Sequence, residues 1–232
     1  MAIVYKDFAS RKSLIVELAG RIADLLLAGI QDKGRASLAV SGGSTPIALF
    51  EHLSRMDIPW QDVVITLVDE RWVQATDDDS NERLVHNSLI QNKASAATFI
   101  GMKNAAFIAG DGEAECEQQL RKVPQPFDVM ILGMGDDGHT ASLFPAAEKL
   151  AIATDMDSGR LCMALAPLTA PHERMSLTLP AILNSNQLFL HIVGEDKKEV
   201  LKKAGSDGPA EEMPIRFVLR QDSTPLSVYW AP

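Results

Sequence analysis

Two cysteines, Cys116 and Cys162, are too few for a disulfide framework and stand at no metal-ligand spacing, which points to a reducing compartment. No apolar run is long enough to cross a bilayer, and the first residues lack the basic, apolar, small-residue order of a secretory leader. Cations are also in deficit: 22 Lys and Arg stand against 31 Asp and Glu, a formal charge of −9. Binding a phosphate backbone needs a basic face, so nucleic acid is excluded as a partner. An anionic ligand would have to be met by a local cluster of Arg and Lys. No internal repeat, low-complexity tract or linker rich in Pro, Gly and Ser divides the chain, so residues 1–232 are expected to form a single domain. A cytoplasmic protein with no membrane partner, monomeric or weakly dimeric, is the expectation.

What the chain does have is alternation. Leu14, Leu18, Ile22, Leu25 and Leu26 recur at helical spacing behind Ser10, a good N-cap, with Gly34 past the end. Short apolar runs at Ser37–Val40, Val63–Val68, Ala97–Ile100, Phe127–Leu132, Leu161–Leu165 and Gln187–Val193 read as buried strands. Helical stretches fall between several of them, from Ile47 to Ser54, Glu82 to Ile90 and Glu113 to Arg121. Such alternation predicts a mainly parallel sheet covered by helices on both faces, an α/β class. Alternation of Arg174, Ser176 and Thr178 with Met175, Leu177 and Leu179 predicts a half-exposed strand.

Two of the buried strands run straight into glycine. Val40 is followed by Ser41-Gly42-Gly43-Ser44-Thr45-Pro46, where bare backbone and hydroxyls precede a Pro suited to the first helical turn. N–H groups, hydroxyl donors and a helix amino end converge there, which makes an anion site. It is no Walker loop, because no Lys follows the last glycine. Leu132 is followed by Gly133-Met-Gly135-Asp136-Asp137-Gly138-His139-Thr140-Ala-Ser142. The spacing Gly133-x-Gly135-x-x-Gly138 matches a dinucleotide fingerprint, but Asp136 and Asp137 would face a pyrophosphate and Pro145 cuts short the helix that should carry it. A proton-transfer loop is the better reading, since a His at a glycine-loop tip is placed to move a proton near neutrality.

Charges at the end of a third strand, Asp69-Glu70-Arg71-Trp72, sit where open α/β sheets bind ligands. Asp77 to Asn81 lacks the glycine and distal Glu of a calcium loop and reads as a turn before a helix, with Asn81 steadying the loop ahead of it. Lys197, at a helix start after Gly194, is a further candidate cation. Among the other histidines, His52 and His86 fall in amphipathic helices, His172 reads as peripheral, and His191 lies in an apolar strand where a hydrogen-bonded core role is expected.

Taken together, Ser41–Pro46, Asp69–Val73, Ser80-Asn81, the run from Leu132 to Pro145 and Gly194–Lys197 resemble the signature set of the 6-phosphogluconolactonases, in the same order and over nearly the whole chain. The resemblance implies a three-layer α/β/α, Rossmann-like fold similar to glucosamine-6-phosphate deaminases and ribose-5-phosphate isomerases. It also implies hydrolysis of 6-phospho-D-glucono-1,5-lactone to 6-phospho-D-gluconate in the oxidative pentose phosphate pathway, with no metal or organic cofactor. One segment departs from the pattern: where relatives often carry Lys-Pro-Pro ahead of the Arg matched to Arg174, this chain has Leu168-Thr169-Ala170-Pro171-His172.

Within that resemblance His139 is the expected general acid and base, oriented by Asp137 or Asp69. Main-chain N–H groups near Gly42 and Gly43, or in the loop before His139, would stabilise an oxyanion, and Ser41, Gly42 and Gly43 belong with the substrate- and phosphate-binding set. Ser44, Thr45, Arg71, Arg174 and Lys197 would hold the phosphate and sugar hydroxyls. A deaminase or isomerase on the same scaffold, with Asp69 as base, and a non-catalytic sugar-phosphate sensor are the competing readings.

Overall fold

The strands that finish at Val40, Leu67, Ile100, Leu132 and Val193 each end within two residues of a glycine or a charge, and all five run parallel in one sheet. The computed structural model describes residues 3–168 and 170–232. In chain order the elements are β1 (Val4–Asp7), α1 (Arg11–Lys33), β2 (Ala36–Val40), α2 (Ile47–Leu53), β3 (Val63–Leu67), β4 (Asp69–Arg71) and α3 (Asn81–Ser88). They continue with β5 (Thr98–Ile100), α4 (Ala109–Leu120), β6 (Val129–Leu132), α5 (Leu150–Ala153), β7 (Cys162–Leu165) and β8 (Arg174–Leu177). The chain closes with α6 (Leu179–Leu183), β9 (Leu188–Val193), α7 (Glu195–Gly205), α8 (Ile215–Arg220) and β10 (Leu226–Ala231).

The first helix shows how local chemistry sets an element. Ser10, extended at φ −155°, accepts the N–H of Ser13, and Gly34 at φ 75° donates its N–H back to Ile30. Both ends are thus closed by side-chain and left-handed caps. Between them Leu14, Leu18, Ile22 and Leu26 are buried, and together with the sheet they form the core. Each such side chain, removed from water, stabilises the fold by about 1.5–3 kcal/mol.

Seven strands pair in parallel in the order β1-β10-β9-β6-β2-β3-β5. Every residue of β2, β3 and β6 is buried, which requires cover on both faces. α1, α2 and α3 pack in succession as one group, and α6 and α7 pack against α8 as another. Mainly parallel strands flanked by helices are what the sequence predicts.

Two features depart from the sequence reading. Asp69–Arg71 not only ends the third strand but also pairs antiparallel with β8, which pairs in turn with β7 in a separate three-stranded sheet. β8 is also not half-exposed: all four of its residues are buried, because it is the central strand of that sheet. Its polar Ser176 is satisfied there, accepting the Ser142 N–H at 3.2 Å and donating to the Leu177 carbonyl at 2.9 Å. Strands β1 and β10 and helix α8 have no counterpart in the sequence reading, and Thr169, within the departing segment, lies outside the described residues.

Candidate active site

Because β9, β6, β2 and β3 are neighbours and all parallel, their carboxyl ends emerge side by side. Register aligns Val40 with Ile131 and Leu132 with Leu190, and the Ser41 N–H extends the ladder to the Ile131 carbonyl at 3.0 Å. From β2 the chain proceeds through β3 to β5 on one side, then returns through β6 on the other. The crevice between the two directions is where such sheets bind ligands. Here it opens as a cleft of about 290 Å³, near the lower end of the roughly 300–1,000 Å³ usual for small-molecule sites.

The Ser41–Pro46 loop lines that cleft. Ser44 and Thr45 are exposed, and no side chain caps α2, so neither hydroxyl is consumed in ending a helix. Pro46 takes the cap position itself, at φ −80°. The backbone N–H groups of Gly42, Gly43 and Ser44 donate to no protein group among the described residues. Gly42 is required by close approach: a Cβ there would lie 1.9 Å from Oδ1 of Asn81. Asn81 in turn donates its Nδ2 to the Asp69 carbonyl at 2.8 Å, which ties the start of α3 to β4 against that loop.

His139 stands at the tip of the second loop and lines the same cleft. Gly135 and Gly138 make the turn, with Gly135 donating to the His139 carbonyl at 2.9 Å. Oδ1 of Asp137 lies 2.6 Å from Nδ1 of His139 and also accepts the His139 backbone N–H at 3.0 Å. Burial works to raise the Asp137 carboxyl, but these His139 contacts outweigh it and leave it below its ordinary value. Phe144 stacks on the imidazole with centroids 4.0 Å apart. With Nδ1 engaged by a carboxylate, Nε2 is the nitrogen left for other work.

The other expected residues divide. Asp69 lines the cleft but does not touch His139; its Oδ2 accepts a 2.5 Å hydrogen bond from the buried Ser142 hydroxyl. Arg71 lines the cleft and donates to the Asp79 carbonyl at 2.5 Å. Lys197 lines it as well and pairs with Asp136 at 2.5 Å. Arg174 is not brought to the lining. It is buried, pairs across the β4–β8 register with Arg71, and has Nε and Nη1 without a partner among the described residues. Burial and the neighbouring Arg71 both disfavour its charge, while Asp69, Glu70 and Asp79 favour it. His172 contacts Asp79 at 3.0 Å, a peripheral position as expected. Among the described residues no group of three or more His, Cys, Asp or Glu is arranged to hold a metal ion, and no helix is long and apolar enough to cross a membrane.

Two residues carry roles the sequence did not reveal. His191 lines the cleft and is 3% exposed, yet its Nδ1 has no hydrogen-bond partner among the described residues, in place of the hydrogen-bonded core role expected. Its place three residues before Gly194, near the carboxyl end of β9, is the available signal, since parallel strand ends face the ligand. Glu70 is the second. It is 1% exposed and gathers the N–H groups of Arg71, Asn81 and Glu82 and the Ser80 hydroxyl. Burial pushes its carboxyl up to about 7 against the pull of the three backbone donors.

Backbone N–H groups can only donate, so an amide NH₂ in place of one Glu70 oxygen must face at least one of them. Glu70→Gln is therefore expected to destabilise the fold by about 1–3 kcal/mol. Urea denaturation above neutral pH measures it, and an unchanged midpoint would remove Glu70 as the anchor of the β4–α3 connection.

Residues 9–230 match the family described as glucosamine-6-phosphate isomerases/6-phosphogluconolactonase. A 6-phosphogluconolactonase of Mesorhizobium japonicum is 45% identical over 98% of this chain and 95% of its own length. The crystal structure of a 6-phosphogluconolactonase from Shewanella baltica superposes with a TM-score of 0.97 at 48% identity, covering 100% of this chain and 98% of that one. A monomeric glucosamine-6-phosphate deaminase shares the fold, with a TM-score of 0.79 at 17% identity over 97% of each chain.

Proposed function

This chain belongs to the glucosamine-6-phosphate isomerase/6-phosphogluconolactonase family, and we propose that it hydrolyses 6-phospho-D-glucono-1,5-lactone to 6-phospho-D-gluconate. One juxtaposition carries the reading. Two glycine loops from the adjacent strands β2 and β6 line one cleft, the first with unpaired N–H groups and hydroxyls, the second with an imidazole backed by a carboxylate.

The chemistry then follows from the residues. A lactone carbonyl is already electrophilic, so it needs an activated water, a donor for the oxyanion and a grip on the distant phosphate. Neutral His139 accepts a proton at Nε2 as water oxygen bonds to C1. The tetrahedral oxyanion collapses, the bond from C1 to the ring oxygen breaks, and His139 returns its proton to that oxygen. Asp137 holds the imidazole in the tautomer that leaves Nε2 free and favours the cation formed midway. Asp69, already engaged by Ser142, fits a role in positioning the sugar rather than the imidazole. N–H groups of Gly42 and Gly43, beside Ser41, supply donors for the oxyanion. Ser44, Thr45, Arg71 and Lys197 supply the grip on phosphate and hydroxyls, and Arg174 adds positive charge from the adjoining strand.

The direct test follows acid release from freshly generated lactone at slightly acidic pH, where spontaneous hydrolysis is slow. Acceleration by the protein is expected. No acceleration, together with ammonia release from glucosamine 6-phosphate in a parallel reaction, would replace this reading with the deaminase. Lys197→Ala is expected to raise KM about tenfold or more with kcat little changed, the worth of one charge-assisted bond. Steady-state kinetics with competition by inorganic phosphate checks it; an unchanged KM and unchanged phosphate inhibition would reject the contact.

A further inference from the structure

His191 is a polar side chain in a position that demands a partner, and its Nδ1 has none among the described residues. It lies at the carboxyl end of β9, paired in register with Tyr229 of β10 and surrounded by the apolar run Leu188–Val193. Only 3% of it is exposed, and Nδ1 has no hydrogen-bond partner among the described residues. A buried polar atom left unsatisfied costs about 1–3 kcal/mol. A leucine or phenylalanine here would avoid that cost if the position served packing alone. His191 is not sealed in the core, however: it lines the cleft with Gly133, Met134 and Lys197, between the His139 loop and the start of α7.

We propose that His191 binds the substrate, taking a hydroxyl of the bound sugar as the hydrogen-bond partner its imidazole lacks, and so contributes to the choice of sugar. This rests on the lactonase reading and deepens it. Burial pushes the imidazole down to about 4, so the ring is neutral near pH 7 and offers one donor and one acceptor, which suits a hydroxyl better than a phosphate. A half-turn about Cβ–Cγ exchanges its carbon and nitrogen edges with little change of shape, so either nitrogen can be turned to the ligand. The division of labour is chemical: Lys197 and Arg71 meet negative charge, and His191 meets a neutral hydroxyl. Its role is distinct from that of His139, whose Nδ1 is already engaged by Asp137.

The test compares wild type with His191→Phe and His191→Asn on the lactone and on analogues lacking one ring hydroxyl each. Wild type must first hydrolyse the lactone; if it does not, the functional reading itself fails. If it does, His191→Phe is expected to raise KM by about three- to tenfold, the worth of one neutral hydrogen bond, with kcat and inhibition by inorganic phosphate little changed. For one deoxy analogue the penalty seen in wild type should vanish in the Phe variant, and Asn, which keeps a donor and an acceptor, should recover part of the loss. A KM equal to wild type in the Phe variant, or deoxy penalties that persist unchanged in it, would overturn the assignment. If the phenyl ring is not accommodated, His191→Leu carries the same comparison, with thermal unfolding confirming that the variant is folded.

Discussion

Replacing His139 by alanine is expected to lower kcat by ~10²–10⁴-fold, the usual worth of positioned acid–base help, with KM little altered. The expectation rests on how completely the loop is arranged around this one ring. Oδ1 of Asp137 contacts both its Nδ1 and its backbone N–H, Phe144 stacks on its face, and Thr140 next to it donates to the Gly133 carbonyl at 2.8 Å. None of these contacts reaches the Ser41–Pro46 loop, so the grip on the phosphate should survive the substitution. Steady-state and single-turnover kinetics on the lactone provide the measurement. Turnover within a few-fold of wild type would take His139 out of the reaction.

The second large effect comes from a residue with no side chain to lose. A Cβ added at Gly135 would lie 2.1 Å from both Cε1 and Nδ1 of His139 and 2.8 Å from Oδ1 of Asp137. Atoms do not pack that closely, so Gly135→Ala must displace the imidazole, separate it from Asp137, or shift the loop. A reacting group moved by about an ångström costs on the order of 10²-fold, and kcat of Gly135→Ala is expected to fall by about that factor. A double-mutant cycle gives the mechanism. If the methyl group acts through the ring, Gly135→Ala added to His139→Ala should cost nothing further. Additive losses would instead show that the glycine serves the cleft in another way.

Much of this arrangement could be read in the chain because it is local. A buried strand running into glycine announces itself within ten residues, and both such loops, with His139 at the tip of one, were identifiable on that basis. The choice between Asp137 and Asp69 as the neighbour of His139 was not readable. One is two residues away and the other is distant in sequence, and only coordinates show that Asp69 is occupied by Ser142. The small antiparallel sheet escaped for a related reason. Its strand β4 is three residues long and carries Asp, Glu and Arg, which resembles a solvated strand end until β8 is found beside it. In β8 the alternation of polar and apolar residues suggested one wet face, but tertiary cover overrode the pattern. His191 followed the same logic in reverse: an apolar neighbourhood implied a satisfied interior residue, while its position at a strand end placed it in the cleft.

The cleft draws its lining from residues as far apart as Ser41 and Lys197, and no two of its loops come from strands joined by a simple hairpin. Parallel pairing of this kind is non-local, so loop-closure entropy must be overcome before any of the contacts forms. A nascent chain that stops short of β9 lacks His191, Lys197 and the strand that flanks β6, so its cleft is incomplete. Turnover is consequently a stricter gauge of refolding than helix content, because it reports the one event that requires β3, β2, β6 and β9 to have found one another.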